Sequence, residues 1–126
     1  MKTLYLPLKK KWYEMIERGE KHEEYRKITN YWLSRMFFAI NLNGTRYEPI
    51  GAKTVKWYAG RLDRILQDLQ SGALMVKFDT ICFSCGYTKQ TMTFECKGVY
   101  IGFGSPQWGA PSDRHVFVIR LGERLD

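Results

Sequence analysis

Apolar positions along this chain change their spacing more than once. Residues 3–8 form a short, nearly continuous apolar run with Pro7 marking its end, the pattern of a buried strand. Leu8, Trp12, Met15 and Ile16 then share one helical face, Lys10, Glu14, Glu17 and Arg18 lie mostly on the other, and Gly19 stands where the helix should stop. Thr29 is placed to cap a helix over 30–38, whose Tyr31, Trp32, Leu33, Met36, Phe37 and Phe38 demand burial. Residues 41–51, with Asn43-Gly44 and Pro49-Ile50-Gly51, predict a loop, and 52–58 fits strand and helix equally. The strongest helix covers 61–71, where Leu62, Ile65, Leu66 and Leu69 make an i, i+3, i+4, i+7 stripe that ends at Gly72. Beyond it the period becomes two. Strands are expected over 74–83 and 91–101 around a turn at Cys85-Gly86-Tyr87, then a Gly- and Pro-bearing loop over 102–112, then a closing strand over 115–121.

Helices early and an antiparallel run late predict an α+β fold. About five to six mostly antiparallel strands would close into a small β-barrel with flanking helices. The length suits a single domain over 1–126.

One stretch breaks the pattern. In Gly19-Glu20-Lys21-His22-Glu23-Glu24-Tyr25-Arg26-Lys27, seven of nine side chains are ionisable with His22 counted, and Tyr25 is the only large apolar one. Such a run is either a solvated edge or the floor of a polar cleft. Strand alternation puts His22, Glu24, Arg26 and Ile28 on one face and Glu23, Tyr25 and Lys27 on the other, with Lys21 at the turn out of the helix. Drawn into a cleft, Lys21, Glu24 and Arg26 would present two cations and one anion, a group suited to a phosphate or a base edge. Lys21 and Glu24 would also make an acid–base pair if burial took the lysine proton near neutral pH. On a surface strand the same residues would be solvated ion pairs contributing about 0–1 kcal/mol each. Glu20 and Glu23 are expected to be solvated.

Charge adds a partner class. Of a formal +7, residues 1–60 carry 12 Lys/Arg against 6 Asp/Glu, and residues 61–126 carry 8 against 7. Lys9-Lys10-Lys11 contributes to the basic half and reads as a solvated helix start, since cations there oppose the helix dipole. Aromatic residues make up 15% of the chain. A basic half with interleaved rings suits a polyanion whose bases can stack. Trp108, in the stiff loop Ser105-Pro106-Gln107-Trp108-Gly109-Ala110-Pro111, either stacks on a base or plugs one end of the barrel, and Tyr87 poses the same choice. Gly102-Phe103-Gly104 lacks the following helix of a phosphate loop.

No apolar run approaches the ~20 residues that span a bilayer, and the first eight residues are too soon interrupted for a signal peptide, so a cytoplasmic chain without membrane contact is expected. Cys82, Cys85 and Cys96 are expected to be reduced. Cys82-Phe83-Ser84-Cys85 has the spacing of half a zinc knuckle, where two thiolates straddle a tight turn, but a site needs four ligands and only Cys96, His115 and His22 remain to complete it. Structural thiols are the better reading, and neither metal nor cofactor is expected.

Gly19-Glu20-Lys21-His22-Glu23-Glu24-Tyr25-Arg26 resembles the G-x-K-x-x-E-x-R signature of the ASCH domain family, part of the PUA-like superfamily. Gly86-Tyr87 resembles the Gly-Tyr turn that follows a mid-chain strand in many members, and residues 115–123 look like their closing strand. The resemblance implies a small β-barrel with flanking helices and a cleft beside it for RNA or a nucleoside, with Lys21, Glu24 and Arg26 as cleft residues. Most members are inferred RNA binders, some are reported to cleave RNA, and a bacterial branch hydrolyses the acetyl amide of N4-acetylcytidine. That branch is similar in its lysine at the position of Lys21, with a threonine nucleophile three residues on. Glu24 stands there in this chain, and a carboxylate does not replace a hydroxyl nucleophile in that scheme. The expectation is therefore an RNA-binding module contacting RNA or a nucleotide through Lys21, Glu24, Arg26, Tyr87 and Trp108. The alternative is an enzyme on RNA or a modified nucleoside, with Lys21 and Glu24 as the catalytic pair.

Overall fold

The computed structural model describes residues 2–126; Met1, the first residue of the segment weighed as a leader, lies outside them. The chain is α+β and groups into two compact units, one of residues 2–26 with 78–126 and one of residues 27–77.

In the first unit, β1 (Thr3–Leu8) runs into α1 (Lys10–Glu17) and then β2 (Glu23–Arg26). After the intervening unit come β6 (Thr80–Cys85), β7 (Thr91–Gly102), a 3-10 turn (Pro106–Trp108) and β8 (Val116–Arg124). The sheet order is β1-β6-β7-β8-β2, with β1 parallel to β6 and the other pairs antiparallel. The expected barrel is realised as a half-barrel, a curled sheet whose edges are β1 and β2. Its curl has a local cause: the register of β7 against β8 shifts between Phe94 and Cys96 and again between Cys96 and Gly98, and bulges bend a strand and raise its twist.

The period-two pattern fails in β8 for a reason that bears on the site. Val116, Phe117, Val118 and Ile119 are all buried, so both faces of this strand are covered. Val116 and Val118 pack with Tyr25 and Ala110, against which Trp108 also lies. The 102–112 loop is thus a lid over one face of β8 and β2.

Helix α1 stops where its glycine predicts. Gly19 adopts φ +80°, Glu20 N–H and Lys21 N–H both bond the Met15 carbonyl, and the chain folds back toward β2. The buried face of α1 is led by Tyr13 and Ile16, with Trp12 and Met15 half-buried.

The second unit holds α2 (Asn30–Met36), β3 (Phe37–Ile40), β4 (Tyr47–Pro49), α3 (Ala52–Tyr58), α4 (Leu62–Ser71) and β5 (Leu74–Val76). Its small sheet has the order β4-β3-β5. Thr29 caps α2 through its hydroxyl, which accepts from Trp32 N–H at 3.3 Å. Three expectations change here. The helix over 30–38 ends at Met36, because Phe37-Phe38-Ala39 pairs with β5. The loop over 41–51 contains β4, which pairs with β3 across a turn that Asn41 closes by accepting Thr45 N–H at 2.9 Å. The strand over 74–83 is two strands in two sheets, broken where the chain passes from one unit to the other. Residues 52–58 resolve as helix, and α4 matches the predicted stripe. No helix among the described residues is long and apolar enough to cross a membrane.

Candidate functional site

Lys21, Glu24 and Arg26 converge. Lys21 Nζ donates to Glu24 Oε1 at 3.1 Å, and Arg26 Nη1 lies 3.2 Å from Glu24 Oε2. Tyr25 N–H donates to Glu24 Oε1 at 3.0 Å, so the carboxylate collects two cations and one amide. Lys21 Nζ also donates to the Trp108 carbonyl, and it lies 4.7 Å from the centroid of the Trp12 ring and 5.2 Å from that of Tyr25. An ammonium held over aromatic faces is stabilised by their quadrupoles where water is excluded.

The architecture explains how a strand this polar sits so deep. β2 is the sheet edge, with Glu24 in register with Ile119 and Tyr25 with Val118. The stretch is therefore both an edge in topology and a cleft in environment. Helix α1 covers it from one side through Trp12, and the 102–112 loop covers it from the other. Gly104 permits that cover: a Cβ there would stand 2.5 Å from Tyr25 Cε1 and 2.6 Å from Ala110 Cβ. Within Gly102-Phe103-Gly104 it is therefore Gly104 that the close approach of the loop to Tyr25 requires. The Tyr25 hydroxyl locks the loop by accepting Ser105 N–H at 3.0 Å while donating to Glu23 Oε1 at 2.9 Å.

A cavity of about 230 Å³ opens at this point, lined by Lys9, Trp12, Lys21, Glu24, Tyr25, Arg26 and Trp108 among others. Three cations face one carboxylate there, so the cavity favours an anion. Exposure divides the labour. The Lys21 side chain is 1% exposed and that of Arg26 18%, so an entering group meets Arg26 and the exposed Lys9, while Lys21 holds Glu24 in place from within. Burial lowers the pKa of Lys21 below the ordinary lysine value, and the adjacent Glu24 carboxylate opposes that shift. Burial raises the pKa of the Tyr25 phenol well above its usual value, and the neighbouring Glu23 adds to the rise.

The other predicted residues separate. Trp108 lines the cavity, its backbone carbonyl holds Lys21, and its ring packs edge-on to His22 at 5.4 Å and against the Tyr25 cluster. Tyr87 is almost fully exposed on the β6–β7 turn, outside the cavity lining; Gly86 N–H bonds the carbonyl of Leu8, which does line it. Glu20 is exposed and paired with Arg18 at 2.9 Å, as a solvated residue should be. Glu23 departs from that expectation, being half-buried and bonded by the Tyr25 and Tyr100 hydroxyls at 2.9 and 3.1 Å. Cys82 and Cys85 lie three residues apart within β6, which turns their side chains to opposite faces of the sheet instead of around one turn.

Sequence reasoning missed Trp12 and Lys9. Trp12 was legible only as part of the apolar face of α1, and nothing in the spacing marks it as a neighbour of Lys21 until the Gly19 turn folds the chain back. Comparison with family models, with curated proteins and with solved structures finds no match to this chain.

Proposed function

We propose that this chain is an RNA-binding module of the ASCH type, with a PUA-like half-barrel as scaffold and the cleft on β2 as its contact site. The observation that carries the reading is the convergence of Lys21, Glu24 and Arg26 on one small cation-rich cavity walled by Trp12 and Trp108. A net positive cavity with a partly exposed guanidinium matches a phosphate oxygen, and Arg presents its donors in a fork suited to that group. The indole walls offer apolar surface to a sugar or a base.

Size and burial favour binding over catalysis. About 230 Å³ is smaller than the ~300–1,000 Å³ of sites that enclose a whole small molecule, so it accepts a phosphate or a base edge of a longer strand. Lys21 Nζ is held by Glu24 and the Trp108 carbonyl and its side chain is only 1% exposed, so a substrate does not reach it without the site opening. In this reading Lys21 orients Glu24, Glu24 orients Arg26, and Arg26 meets the ligand. The test is salt-dependent binding of RNA by the wild-type protein and by Arg26→Ala, with affinity expected to fall steeply with salt in the first and to be weaker in the second.

A further inference from the structure

A larger cavity, of about 980 Å³, lies wholly within the unit of residues 27–77. That unit has 8 Lys/Arg against 3 Asp/Glu, whereas the rest of the chain has 12 against 10, so the inserted unit carries +5 of the +7. The basic character assigned above to the N-terminal half of the chain belongs mainly to this segment.

We propose that this cavity is a second contact site for single-stranded RNA, taking an unpaired base against Trp57 while the flanking phosphates meet Lys53, Arg46 and Arg64. The proposal rests on the reading of the chain as an RNA binder and extends it to a surface outside the cleft. Trp57 lines the cavity and is 42% exposed, a large apolar ring left in water. The Arg61 and Arg64 guanidinium groups stand over the ring, 5.3 and 5.1 Å from its centroid, and set two positive charges at the surface a stacking base would share or displace them from. Leu42, also in the lining, is fully exposed at the turn after β3, so the rim offers apolar contact on a second element.

The cavity contains a polar, braced element that a base edge can use. The Tyr58 hydroxyl donates to Asp68 Oδ2 at 2.5 Å, and Arg64 Nε lies 3.3 Å from Asp68 Oδ1, with Tyr58 and Asp68 both buried. Lys53 is exposed and makes no ion pair among the described residues. Arg46 is paired with Glu48 at 2.8 Å on the surface, where such pairs are weak enough for a phosphate to compete. The volume falls within the range that holds a nucleotide. Stacking needs an unpaired base, which selects single strands over duplex.

The experiment is fluorescence anisotropy of labelled oligouridylate and oligoadenylate, with duplex RNA and polyglutamate as competitors. It uses the full chain and the variants Trp57→Ala, Trp57→Phe, Lys53→Glu and Arg26→Ala. Trp57→Ala is expected to weaken binding roughly 5- to 160-fold and Trp57→Phe by much less, because the platform is retained. Lys53→Glu is expected to flatten the log–log salt dependence by about 0.7 or more. Should Trp57→Ala disturb the circular dichroism spectrum, Lys53→Glu at its exposed position carries the test. Unchanged binding by these variants overturns the proposal, as do no binding by the wild type, competition by polyglutamate or equal competition by duplex. Loss confined to Arg26→Ala sinks this site and leaves the cleft; loss confined to Trp57→Ala and Lys53→Glu does the reverse.

Discussion

Replacing Glu24 by glutamine removes one negative charge from the centre of the cleft and keeps its shape. The substituted side chain retains an amide oxygen for Lys21 Nζ and for Tyr25 N–H, now at 3.1 and 3.0 Å from Oε1, so hydrogen bonding largely survives and the change is mainly electrostatic. Lys21 is then a buried cation whose remaining partners are the Trp108 carbonyl, the residual amide and two aromatic rings. The cost has a ceiling, because the ammonium can shed its proton. From an ordinary pKa of about 10.4, doing so at pH 7 costs about 4.6 kcal/mol, at about 1.36 kcal/mol per unit. Breaking a buried pair by removing one partner typically costs about 3–5 kcal/mol. Since hydrogen bonds persist, a loss of about 2–4 kcal/mol is expected at pH 7.

The pH dependence follows from the sign of the shift. The pKa of Lys21 is lower folded than unfolded, so between the two values the unfolded chain holds more protons and stability rises with pH. Without Glu24 the folded value drops further and the window widens. By pH 9 the ceiling has fallen to about 1.9 kcal/mol, so the deficit of Glu24→Gln should shrink markedly from pH 7 to pH 9. Urea unfolding followed by tryptophan fluorescence at several pH values measures both. A deficit below about 1 kcal/mol, flat across that range, is what a solvated surface pair gives, and it would refute the reasoning.

Two further substitutions test how the loop closes the site. Gly104→Ala places a methyl group against the Tyr25 ring and Ala110, an overpacking expected to cost about 1–3 kcal/mol in thermal or urea unfolding; wild-type stability would show that the loop does not press on β2. Tyr25→Phe removes the acceptor of Ser105 N–H and a donor to Glu23, with an expected loss of about 1–3 kcal/mol. The Ser105 amide should then exchange its hydrogen faster, and unchanged exchange counts against the lock.

Local chemistry made α1, its Gly19 stop, α4 and the outline of β6, β7 and β8 legible, because each rests on a period or a cap that acts within a few residues. The parallel pairing of β1 with β6 was not, since it joins residues about 77 positions apart and leaves no periodic trace. Phe37 and Phe38 read as helix because an apolar pair fits either state, and the strands β4 and β5 on either side decide it. In the site, the spacing of Lys21, Glu24 and Arg26 grouped three side chains that do meet in the fold. It could not separate a 1% exposed lysine from an 18% exposed arginine, which depends on Trp12 and Trp108 arriving from distant parts of the chain.

The central claim is that the β2 cleft binds RNA through Arg26, and the most direct measurement is anisotropy of labelled RNA, single-stranded and hairpin, titrated between about 50 and about 200 mM salt. The account predicts wild-type binding that weakens steeply over that range. For Arg26→Ala it predicts affinity about tenfold or more lower at low salt, as expected for a lost charge-assisted bond, with unchanged circular dichroism. Absence of wild-type binding at low salt, or an Arg26→Ala protein that binds as the wild type does, contradicts it.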